Sequence, residues 1–481
     1  MGFNTDVISA TTISGGTLYG DGSNLTGISG GVFTGGTVTG TTTFTNGLSG
    51  NTISGGSFNN LRLGLGGGQN TYNVSLGRDA LNNNTTGFRN IAIGCKSLCS
   101  NTLGHTNIAI GSGGISGGNL GSNTTGCCNI AIGDALRASN NNCNIGIGFG
   151  IGYFGNGSGN VGIGVETLRN NGGARNIAIG DSSLRCNTSG NDNLSLGFNT
   201  MRCNSSGSKN VAIGCNALFR NTNGVNNVAL GPNSLSFNQS GCDNIALGCD
   251  ALYSNTTACN NIALGRNSLR ANTFGNNNVA LGYNSLRTNT TGINNIALGR
   301  NSLCCNIGGA NNIALGYNSL SGNTVGNNNV ALGCKSLCSN TYGTNNIALG
   351  VCSLLKNMSG CDNNAIGSFS LCNNTSGNYN VAFGRNVLSY NTTGNCNIGL
   401  GRNSLNQNTT GSTNVALGVD TQSGNFSNSI ILGAGATATA NCQFVVGSSG
   451  TPIGPVNVES CASTKTLSIR LNGNDYKILL V

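Results

Sequence analysis

Asn261-Ile-Ala-Leu-Gly-Arg-Asn-Ser-Leu-Arg-Ala-Asn-Thr-Phe-Gly275 decides the fold, because the chain keeps repeating it. A second good copy stands at Asn295–Gly309, identical over its first nine residues. With variation it runs unbroken from Gly180 to Gly418, which is fourteen turns of 17 residues. A short fixed period marks a solenoid, in which each repeat buries its apolar groups only against its neighbours. Gly (80 of 481 residues), Asn, Ser and Thr dominate, Trp is absent, and charged residues are 7%. Composition of this kind taken alone points to disorder. Apolar residues at the same place in every repeat argue for a folded chain.

Count positions from the strand-ending Gly as zero. Positions 13 to 17 then read as a short strand, as in Asn278–Gly282. Side chains alternate along a strand, so Val279 and Leu281 share one face and Ala280 takes the other. Position 4 is Leu in thirteen of the fourteen regular turns and Met201 in the remaining one. The expected core is therefore three large apolar groups per turn, such as Val279, Leu281 and Leu286. The Ala column at position 15 is expected to face outward, against another chain. Position 7 is Asn in all fourteen turns, beginning Asn187, Asn204, Asn221, Asn238, Asn255, Asn272, Asn289 and Asn306. Identical amides stacked about 4.8 Å apart are expected to form a structural hydrogen-bonded ladder. Position 10 is Gly except at Ala258, which reads as a corner at positive φ.

Three regions follow. Residues 1–66 carry a looser pattern, as in Thr12-Ile-Ser-Gly-Gly-Thr-Leu18, expected as a β-rich shaft or adaptor. Residues 67–447 are the solenoid. Its early glycines are uneven, and the 22-residue step from Gly111 to Gly133 predicts a loop over Gly113–Gly121. At about 4.8 Å per turn the solenoid spans on the order of 110 Å. Residues 448–481 contain Asn472-Gly473-Asn474 between two alternating runs, a hairpin signal. That hairpin is expected to cap the open end of the solenoid.

The net charge of +9, from 22 basic and 13 acidic residues, makes a mild field along a rod; it reads first as solubility and second as attraction to an anionic surface such as a phosphorylated or acidic glycan. No basic run forms a nucleic-acid patch. The N-terminus lacks the basic stretch and apolar run of a secretory signal, and no run of 18 apolar residues spans a membrane. Neither nucleic-acid binding nor membrane insertion is expected. None of the 21 cysteines makes a Cys-x-x-Cys zinc pair, and neither a metal nor a cofactor is expected. Cys128/Cys143, Cys186/Cys203 and Cys242/Cys259 are expected to stack on adjacent turns, inside the disulfide distance window. Cytoplasmic synthesis predicts free thiols. The chain reads as a non-enzyme: His105 is the single His, and Asp181, Asp192, Asp243, Asp250 and Asp362 form no apposed carboxylate pair of the sort a glycan-cleaving site needs.

The Asn-x-Ala-[Ile/Leu]-Gly unit, followed by a polar step, resembles the head domains of trimeric autotransporter adhesins. In the form Asn-Ile-Ala-Leu-Gly-x-Asn-Ser-Leu-x-x-Asn-Thr-Thr-Gly it is similar to repeats of phage and large-virus tail or appendage fibres. The resemblance covers about residues 73–447. It implies an all-β, left-handed parallel β-roll, a homotrimer, and a role in attachment. Two features depart from the adhesins: there are no coiled-coil heptads or anchor barrel, and the turn is longer. The expectation is a virion fibre assembled in the host cytoplasm and displayed on the virion surface. It would join a baseplate or other particle component and bind a host surface glycan or protein by multivalent contact. The candidate contact residues are Arg470, Tyr476 and Lys477 on the hairpin, and Arg266, Arg300, Tyr283 and Tyr317 on lateral columns. The alternatives are a cell-surface trimeric adhesin or extracellular appendage subunit, and an ice-binding solenoid using an imperfect Thr column at position 8 (Thr188, Thr222, Thr256, Thr273, Thr290).

Overall fold

The computed structural model describes residues 56–58, 61–64, 66–69, 72–111, 119–138, 140–153, 157–448, 450, 466–471 and 474–479. Most of the expected shaft, and most of the expected loop after Gly111, lie outside them. From Val74–Leu76 to Phe444–Val446, twenty-three strands pair in parallel, each with the next in sequence. The result is a β-solenoid of about 17 residues per turn, with no α-helix among the described residues. Identity is kept in register: Ala263 pairs with Ala280, and Ala280 with Ala297.

Three L-residues per turn sit in the left-handed region and make the corners. In one turn they are Asn267 at φ 59°, Leu269 at 49° and Asn277 at 58°. Asn suits that region, because its short amide bonds locally. Leu does not, and burial holds it there: Leu269 is fully buried, as are its equivalents. The strand-ending Gly282 has φ 128°, outside the reach of most side chains.

The expected corner at position 10 is corrected. Gly275 and its equivalents are not at positive φ. A Cβ on Gly275 would sit 2.6 Å from Asn272 Oδ1 and 2.7 Å from Asn289 Nδ2, and against the Gly292 carbonyl. Glycine is needed here for close approach between turns. At Ala258 the neighbouring Asn272–Asn255 amide bond stretches to 3.1 Å, against 2.7 Å for Asn255–Asn238.

The expected core is also corrected, and this reverses the strand. Ala280 and the rest of the Ala column are fully buried, whereas Val279 and Leu281 on either side are only half-buried. The interior holds Leu at position 4, Ala at position 15, Ser at position 3 and two Asn columns, all closed to solvent. The reason is width. Leu crosses the coil and leaves room opposite for a methyl group only. Gly399 shows the limit: Val387 stands at position 3 of that turn, and a Cβ at 399 would lie 2.6 Å from Val387 Cγ1.

The Asn column at position 7 forms a ladder. Asn204 Nδ2 donates to Asn187 Oδ1 at 2.7 Å, and Asn221 to Asn204 at 2.7 Å. Each also donates to the carbonyl at position 10 of its own turn, as Asn204 does to Gly207. A second ladder runs at position 13. Asn295 donates its backbone N–H and its Nδ2 to Asn278 Oδ1, at 3.0 and 3.1 Å, and Nδ2 also reaches the Gly309 carbonyl at 2.8 Å. Such buried amides stabilise only when every donor and acceptor is used. Two ladder atoms fail, Asn123 Oδ1 and Asn144 Nδ2, and both sit among the uneven early turns.

At the N-terminal edge, Gly56–Phe58 pairs antiparallel with Leu61–Gly64, which pairs antiparallel with the first solenoid strand. This covers a sheet edge that would otherwise template pairing. Thr466–Leu471 and Asn474–Leu479 form the C-terminal hairpin, from Leu471↔Asn474 to Thr466↔Leu479. Among the described residues they pair with no solenoid strand.

Candidate binding surfaces

Every strand sends positions 14 and 16 to the outer face of the sheet. Ile245, Ile296, Ile347, Leu332, Leu400, Leu417 and Phe383 are each more than a third exposed. Parallel register stacks them as two columns, Val/Ile beside Leu/Ile, at about 4.8 Å per step. From Val74 to Val446 the only polar residue in either column is Asn364. The face is apolar and partly exposed along its whole length, which makes it a candidate interaction surface.

The lateral residues Arg266, Tyr283, Arg300 and Tyr317 stand at position 1 of four successive turns, all exposed. The Arg300 guanidinium lies 5.7 Å from the Tyr283 ring centroid, within cation–π reach. The hairpin residues belong to a separate sheet, where Arg470 pairs in register with Asp475, Tyr476 with Ile469, and Lys477 with Ser468. The two groups are thus not joined into one site by strand pairing. The position-7 amides are closed to solvent and contact only the wall around them.

All described cysteines are free thiols. Cys242 Sγ and Cys259 Sγ lie 2.7 Å apart across one turn. The hydrogen bond with Cys259 pushes the Cys242 thiol up to about 12. The Cys128 thiol is raised by desolvation and then by Cys143 beside it, and the Cys203 thiol by burial and then by Cys186. A pair outside the sequence reading is Cys304 and Cys305, with sulfurs 3.6 Å apart. The hydrogen bond from Cys304 pulls the Cys305 thiol down to about 6, while Cys304 itself is pushed up.

The carboxylates serve links between turns. Asp192 receives Arg175 at 2.6 Å, which holds its carboxyl below the usual range. Asp243 and Asp362 accept from Asn226 and Asn345 of the preceding turns. His105 stacks on Phe88 at 4.8 Å. Each Thr hydroxyl of the position-8 column is also used: Thr188, Thr222, Thr256, Thr273 and Thr290 donate to the carbonyl of the next turn at 2.8–3.1 Å. Among the described residues no cluster of three His, Cys, Asp or Glu stands ready for a metal, and no helix is long and apolar enough to cross a membrane. No protein-family model matches the chain, and no curated protein matches its sequence.

Proposed function

We propose that this chain is the subunit of a homotrimeric, left-handed β-solenoid fibre that projects from a virion or similar particle and attaches to a host surface. The double Val/Ile and Leu/Ile column carries the reading. A lone soluble chain seldom leaves so long an apolar face in water, and close side-by-side packing of copies removes it. The interface is this face, in place of the Ala face expected from the sequence. Three parallel copies then present each lateral column three times, so weak contacts to glycan or protein gain by avidity. Arg266, Tyr283, Arg300 and Tyr317 are the lateral candidates, and Arg470, Tyr476 and Lys477 those of the hairpin. The Thr hydroxyls already donate to the wall, which favours a fibre over an ice-binding face.

The test is the mass of the full chain by light scattering after size exclusion, with and without reductant. A particle of about three times 48.3 kDa that survives reductant is expected. A stable monomer overturns the reading.

A further inference from the structure

Positions 5 and 6 of the turn carry a second lateral track, over the turns from Arg185 to Arg287. The Arg202 guanidinium lies 5.9 Å from the Phe219 ring centroid on the next turn, and Arg220 lies 4.6 Å from Phe237. Phe237 meets Tyr253 edge to face at 4.9 Å, and Arg270 lies 5.2 Å from the Tyr253 ring. The spacing between turns, about 4.8 Å, suits a guanidinium resting on a ring. The chain thus brings arginine and aromatic side chains into contact on adjoining turns from Arg202 to Arg270.

Charge along this line is left open. Among the described residues no carboxylate lies within ion-pair distance of Arg202, Arg220 or Arg287, and Arg270 keeps only a 3.9 Å approach to Asp250. Arg185, by contrast, is paired with Glu166 at 2.9 Å and ends the track. A guanidinium held against a ring loses less freedom on binding, and its fork of N–H groups matches carboxylate or sulfate.

We propose that this track binds an extended anionic polysaccharide, one bearing carboxylate or sulfate groups at intervals along the chain, laid parallel to the solenoid axis. A linear array of planar cations, of which Arg202, Arg220 and Arg287 have no carboxylate in reach among the described residues, calls for a linear partner with repeated anions. Single-stranded nucleic acid binds by stacking bases on open aromatic faces, whereas here guanidiniums occupy faces of Phe219, Phe237 and Tyr253. The proposal rests on the attachment reading for its purpose, while the binding itself requires no trimer.

The experiment measures affinity of the full chain for immobilised heparin, with dextran as neutral control and poly-dT as competitor. The triple variant Arg202→Gln, Arg220→Gln, Arg270→Gln is compared with Arg78→Gln, Arg385→Gln, Arg402→Gln, which removes equal charge from position 1 at residues outside both sets of contact candidates. Loss of one charge-assisted contact is worth about tenfold or more. The first triple is therefore expected to weaken heparin binding by at least about tenfold, with the second close to wild type. Lysine at 202, 220 and 270 keeps the charge, loses the planar fork, and is expected to restore binding only in part. Thermal melts check that each variant folds.

The proposal is overturned by equal weakening in both triples, by full rescue with lysine, by no retention on heparin, or by tighter binding of poly-dT. Light scattering on the same samples separates the two readings. A trimer that ignores heparin sinks the track and spares the fibre; a monomer that binds it does the reverse.

Discussion

Gly399 replaces the usual Ala because Val387 has taken the space opposite, and the same exchange recurs where Gly146 faces Leu136 and Gly162 faces Ile151. The interior is so narrow that one methyl group decides whether a turn closes. Gly399→Ala is expected to destabilise by about 1–3 kcal/mol, the range for overpacking. Adding Val387→Ser, the residue common at that position, should recover most of it. Denaturant unfolding of the two singles and the double measures the coupling, and purely additive losses would refute the space argument. Cys305 offers a second residue-scale test. Its thiol is drawn down to about 6 by Cys304, so the thiolate is present above that pH. Alkylation by iodoacetamide, mapped by mass spectrometry, should rise through about pH 6 at Cys305 and far later at Cys304. Cys304→Ala should move the Cys305 midpoint upward.

One turn, as an element, has little apolar material to bury: a Leu, an Ala and no more. Its stability comes from being hydrogen-bonded to both neighbours through backbone, Asn amides and Thr hydroxyls. Asn289 shows the connection. It donates to Asn272 Oδ1 at 2.8 Å and the Gly292 carbonyl at 2.9 Å, and accepts from Asn306 at 2.7 Å. Asn289→Ala removes all three and strands buried partners, each worth about 1–3 kcal/mol. A loss of at least about 2 kcal/mol is expected, read by urea unfolding. Hydrogen exchange should quicken first in the two adjoining turns, because a solenoid couples only nearest neighbours. A loss spread evenly over the solenoid would contradict this.

For the whole molecule the governing fact is the apolar face. Core and proposed interface are built from one three-residue strand: its middle side chain closes the coil and its two flanking side chains face out. Charge on the flanks should therefore spare the coil and break the proposed trimer. Leu281→Glu with Leu298→Glu is expected to keep the far-ultraviolet circular dichroism spectrum and shift the mass from trimer to monomer. Unfolding of the coil itself by these substitutions would place Leu281 and Leu298 in the core after all.

The sequence by itself determined the solenoid, its period, the strand at each Ile-Ala-Leu and the column of Asn187 to Asn408, because a strict repeat places equal residues on equal backbone. It also held the size exchange between Val387 and Gly399, legible only once the register is known. What it left open was the sense of the strand. Alternation separates Ala280 from Val279 and Leu281 without saying which side is inside, and the hydrophobic rule points the wrong way. The tertiary structure decided it through the width of the coil, set where Leu286 crosses to the facing wall. The same lies behind Gly275, whose small size answers to the neighbouring turn and not to its own φ. The Arg202–Phe219 and Arg220–Phe237 contacts were also out of reach: positions 5 and 6 vary from copy to copy, and their order appears only when turns are stacked at the distance of one hydrogen-bonded strand.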